Sequence, residues 1–141
     1  MGVRMDARAA YRTARGRPGE TRGSTEARQL LARARSSLAL ARSNGRGILV
    51  EDLIALAHQA VERAVRAVAV AAGVPAPPGE TAGGLIAALW NAGVPVPDRL
   101  NRAASHFSGW DEDEPVRIEQ YYESVLVATE AIRFAEQQVC S

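Results

Sequence analysis

With 141 residues the chain is sized for one domain with a single core, and only seven of its residues are aromatic, so that core must be built from Ala, Val, Leu and Ile. The net charge of +1 hides an asymmetry in a chain without Lys: residues 1–46 hold 11 Arg against Asp6, Glu20 and Glu26, whereas residues 47–141 hold six Arg against 13 acids. No apolar run is long enough to span a membrane, no hydrophobic leader core follows the Arg-rich start, and the single Cys140 excludes an internal disulfide or a multi-thiolate metal site, so a cytoplasmic location is expected.

Residues 1–23 combine many Arg with Gly16, Pro18, Gly19 and Gly23 and little apolar content. This composition predicts a disordered, Arg-rich tail ahead of a helical domain over 24–139. The tail reads either as a nucleic-acid-binding arm, since Arg pairs well with phosphate, or as the product of an Arg-favouring genome and an over-extended start.

Helix 1 is predicted to start at Ser24 or Thr25 as N-cap. It runs through Leu30, Leu31, Ala34, Leu38 and Ala41 and stops before Asn44-Gly45. Helix 2 begins near Glu51-Asp52 and ends at Gly73, because the Pro-rich stretch Val74–Gly79 cannot continue it. Along it Ala57, Ala60, Val61, Ala64, Val65 and Val68 repeat at helical spacing, which makes one apolar face.

His58, Glu62 and Arg66 fall four apart on a second stripe beside that face. They read as a candidate ligand-binding row, as a dimer seam, or as a solvated edge with a Glu62–Arg66 pair. A metal is not expected there, since His58 has no second His one turn away and Glu62 alone leaves a coordination shell short.

Thr81 caps a shorter helix 3 carrying Leu85, Ile86, Leu89 and Trp90, which Gly93 and Pro95 terminate. Pro97-Asp98 opens helix 4 through Leu100, Ala103, Ala104 and Phe107. The run Gly109–Pro115 holds Asp111, Glu112, Asp113 and Glu114. It lacks the alternation of a calcium loop and reads as a solvated loop or a patch for Arg of another chain. Trp110 beside it covers the bundle end or stacks a base.

The last helix spans about 116–139, with Tyr121, Val125, Leu126, Ala128, Thr129, Ile132 and Phe134 on or near its buried side. Tyr121 and Tyr122 cannot both face the core, so one is expected at an interface. The whole is an all-α, up-and-down bundle of four main helices plus a short one.

The order of elements and the helix 2 residues resemble the HEPN family of small helical domains. The family's second helix commonly reads Ala-Gln-Gln-Ala-Ala-Glu-Lys-Ala-Leu-Lys-Ala-Leu and ends at Gly. Here His58-Gln59 replaces the Gln pair, Glu62-Arg63 the Glu-Lys, Arg66 the second Lys, and Gly73 closes the helix. The family's Thr-His-Asp-Leu start of helix 3 is Thr81-Ala82-Gly83-Gly84-Leu85, which keeps the cap and loses the His and Asp. The resemblance covers about residues 25–139.

It implies a metal-independent ribonuclease or an inactive relative that binds RNA or nucleotides, without cofactor. Many members act in toxin–antitoxin or defence settings, usually as homodimers and often beside a nucleotidyltransferase. The family's active motif is an Arg, four to six residues, then a His. His suits proton transfer at a ribose hydroxyl near neutral pH, and Arg holds the phosphate. Arg99 and His106 satisfy the spacing. Arg102 is one turn from His106 and could share a phosphate, although His106 precedes the last helix, which the motif generally opens. The resemblance therefore offers Arg99, Arg102 and His106 as a catalytic centre. A non-catalytic module that pairs with a nucleotidyltransferase is the alternative.

Overall fold

The computed structural model describes residues 22–43, 48–103 and 117–140, and the described residues are all helix, turn or loop. Five helices follow in order: α1 (Arg22–Ala41), α2 (Val50–Ala72), α3 (Ala82–Asn91), α4 (Asp98–Ala103) and α5 (Ile118–Val139). The expected all-α bundle of four main helices and one short helix is what forms.

Helix α2 is the centre of the bundle and touches α1, α5 and α3, while α5 also touches α1 and α4. Its six apolar-face residues from Ala57 to Val68 are fully buried. Ala67 and Ala69 on the flank are buried too, because neighbours cover α2 on more than one side. Ala27, Ala34 and Ala41 of α1 and Ala128, Ala131 and Ala135 of α5 complete the same core. Small side chains at these contacts let the helix axes approach closely, so few aromatics are needed to fill the interior.

The ends of the elements follow from local chemistry. Glu51 and Asp52 place negative charge in the first turn of α2, which its dipole favours. At the other end Gly73 adopts φ 74°, and Val74 N–H donates to Ala69 O at 2.8 Å, so a left-handed glycine closes the helix. Thr81 Oγ1 accepts from Gly84 N–H at 3.0 Å, the expected cap of α3. The Gln120 side chain accepts from Arg117 N–H at 2.7 Å at the start of α5.

Two details depart from the sequence reading. Arg22 is already helical, so Ser24 and Thr25 are inside α1 and neither caps it. Leu126 is 54% exposed, since no described element covers that side of α5. Periodicity identifies an apolar position but does not say whether a neighbour reaches it. The tail up to residue 21, the end of the predicted helix 4 and the acidic run with Trp110 lie outside the described residues.

Candidate functional site

The polar row of α2 is real as a row, but its members have different neighbours. His58 is half-buried between α2 and α5, with Nε2 3.3 Å from the buried Ser124 Oγ. Burial lowers the pKa of His58, because the imidazolium would lose hydration there. The ring is therefore neutral near pH 7 and can serve as hydrogen-bond donor or acceptor according to tautomer.

Arg66, two turns further on, faces the loop that joins α2 to α3. Its Nη1 donates to Ala76 O at 2.9 Å and to Pro77 O at 3.2 Å, and its Nη2 donates to Glu80 O at 3.1 Å. Glu62 pairs with it at 3.5 Å, as the spacing of four predicts. A guanidinium suits this task because its planar fork holds several donors at fixed angles. The same loop delivers Glu80, whose side chain folds over Gly84 at the start of α3; a Cβ at that glycine would overlap the carboxylate. The absence of a side chain at Gly84 thus leaves room for Glu80.

Arg63 turns the other way and donates from Nη1 to Ser37 Oγ at 2.8 Å, satisfying a buried hydroxyl of α1. Sequence reasoning passed over Ser37 and Ser124. Each is a small polar residue on an otherwise apolar buried face, which is the signal that could have found them.

Arg99 and Arg102 project from α4 and are exposed, three residues apart and on the same side of the helix, while Leu100 and Ala103 face the core. His106, the residue that would complete a catalytic centre with them, lies outside the described residues. The two candidate groups therefore stand on different helices: His58, Glu62 and Arg66 on α2, and Arg99 and Arg102 on α4. Among the described residues no cluster of three or more His, Cys, Asp or Glu is arranged to hold a metal ion, and no helix is long and apolar enough to cross a membrane.

At the opposite end of α2 from Arg66, Tyr121 Oη donates to Ala41 O at 2.8 Å and packs with Leu53 and Ile54. Its neighbour Tyr122 meets it edge-on, with ring centroids 5.3 Å apart, and is 61% exposed. One tyrosine faces the interior and the other faces outward, as their adjacency requires. Ile118, Tyr122 and Leu126 then form an exposed apolar line along α5, spaced four apart. Leu40, Ile48 and Leu49 are exposed near the same end of the bundle.

In comparisons with known proteins, the family model described as HEPN domain matches residues 27–139. No curated protein and no solved structure matches the chain.

Proposed function

The chain belongs to the HEPN family, and on that premise we propose that it is a cytoplasmic RNA- or nucleotide-binding component of a toxin–antitoxin or defence-type system. The observation that carries this reading is the family match over residues 27–139, nearly the whole bundle. Such a role requires a positively charged surface, and the exposed Arg99 and Arg102 of α4 supply part of one.

In this reading the protein works as a homodimer. The exposed line Ile118, Tyr122 and Leu126 supports that, because large apolar side chains grouped on one helix face favour burial against a partner. His58, Glu62 and Arg66 remain the proposed ligand-binding row, with Glu62 more exposed than Arg66 and Arg66 also holding the loop. As a metal-independent ribonuclease the protein would use His106 to move the 2′-hydroxyl or leaving-group proton, and Arg99 and Arg102 to hold the phosphate.

Incubation of the purified protein with labelled RNA in EDTA tests the catalytic form of the proposal. Cleavage that His106→Ala abolishes supports it. Equal cleavage by wild type and variant identifies a contaminant and removes the catalytic assignment.

A second reading is favoured by one feature. The Thr81 cap is kept while the His and Asp that follow it in the family pattern are Ala82 and Gly83. A bundle that keeps the scaffold residue and lacks the chemical ones suits a non-catalytic module that pairs with a nucleotidyltransferase. Co-purification with the product of the adjacent gene distinguishes this reading.

A further inference from the structure

Helix α1 carries Arg28 and Arg35, and Arg42 follows in its closing turn, where Arg42 N–H donates to Leu38 O at 3.0 Å; the three fall at intervals of seven residues and all are exposed. Seven residues are close to two helical turns, so the three side chains form one line that extends over about 21 Å of the helix. Between them on the same side stand Ala32 and Ala39, which are exposed and too short to obstruct an approaching polymer. The one acid of α1, Glu26, is on the far edge of the exposed face, at the seven-residue spacing from Arg33.

The middle arginine is the informative one. Arg35 Nε and Nη2 both donate to a single oxygen of Glu136 on α5, at 3.1 and 2.8 Å, while both side chains remain about half exposed. An ion pair in that much solvent is weak and readily exchanged. The line is therefore not spent on packing: its two outer members are solvent-exposed, and its centre is held by an exchangeable carboxylate. In sequence it continues from a segment, residues 1–21, that holds five Arg against Asp6 and Glu20.

We propose that the Arg28–Arg35–Arg42 line along α1 and its closing turn is a docking surface for the phosphate backbone of RNA, with Glu136 acting as a competing anion that Arg35 leaves when a phosphate binds. This rests on the RNA-binding reading above and adds to it a surface on a helix that carries none of the candidate catalytic residues. Guanidinium groups match phosphate oxygens in geometry as well as charge, and a regular row reads backbone and not base sequence.

The test is fluorescence polarisation of a labelled mixed-sequence single-stranded RNA with the full chain, across a salt series. Each phosphate contact on a single strand contributes about 0.7 to the slope of log affinity against log salt, so the triple variant R28Q/R35Q/R42Q should lower that slope by about 2. Glu136→Gln should act in the opposite sense and tighten binding several-fold, whereas a merely structural Arg35–Glu136 pair predicts no gain. Thermal melting of each variant shows that the fold is kept, as expected for exposed positions.

RNA binding that is the same in wild type, triple variant and Glu136→Gln overturns the α1 surface and leaves the RNA-binding reading standing. No RNA binding by the wild type overturns both.

Discussion

His58 Nε2 lies 3.3 Å from Ser124 Oγ, a contact between residues 66 apart in sequence that joins the central helix α2 to the last helix α5. Burial disfavours the imidazolium, so the folded-state pKa is below the value of about 6.5 for a free imidazole. The unfolded chain therefore binds the proton more readily than the folded one. Stability is unaffected well above pH 6.5, falls as the pH drops through the unfolded value, and levels off once the folded group also titrates. Thermal melts at pH 7.5 and 5.5 should show a larger acid loss in wild type than in His58→Gln. An equal loss in both would assign the acid sensitivity to other groups.

Arg66 is the fastener of the α2–α3 loop, and its contacts rank the polar row by energy. Hydrogen bonds from a charged donor to three carbonyls predict that Arg66→Ala costs about 2 kcal/mol in chemical denaturation. Arg66→Lys should recover only part of it, because an ammonium group cannot span the same acceptors. Glu62→Gln should cost less than about 1 kcal/mol, since Glu62 is 44% exposed and its pair with Arg66 is at 3.5 Å. A Glu62 variant as damaging as the Arg66 variant would mean that the ion pair, and not the loop, is what Arg66 holds.

The adjacent tyrosines should separate stability from association. Tyr121→Phe loses the hydrogen bond to Ala41 O and leaves a buried carbonyl short of a donor, a cost of about 1 kcal/mol in thermal or denaturant melts. Tyr122→Glu and Leu126→Glu change exposed positions and should leave the melting of the fold itself nearly unchanged. If α5 forms the dimer seam, light scattering will show a dimer for the wild type and a monomer for either Glu variant. A dimer that survives both substitutions would move the seam elsewhere.

How far the sequence reveals this molecule depends on whether the cause is local. The apolar face of α2 is readable because its period of 3.6 residues is written into Ala57–Val68, and Thr81 and Gly73 announce helix ends through their own caps. The role of Arg66 is not readable in that way: its acceptors are main-chain carbonyls of a Pro-rich loop, which any sequence offers. Ser124 and His58 meet only because α5 folds back along α2. Leu126 looks like a core residue by spacing, yet the side of α5 it occupies has no neighbour within the described chain. For the catalytic proposal, the Arg99–His106 spacing is a sequence property, and the structure adds that Arg99 and Arg102 are exposed on one side of α4.

Binding of RNA or a nucleotide by this HEPN-family bundle is the proposal on which the rest depends. Titration of the purified full chain into labelled single-stranded RNA, read by fluorescence polarisation with and without unlabelled nucleotide as competitor, tests it most directly. Saturable binding that weakens as salt rises is expected, or a parallel saturable response to the nucleotide when that is labelled instead. A correctly folded protein that binds neither RNA nor nucleotide at low salt would contradict it.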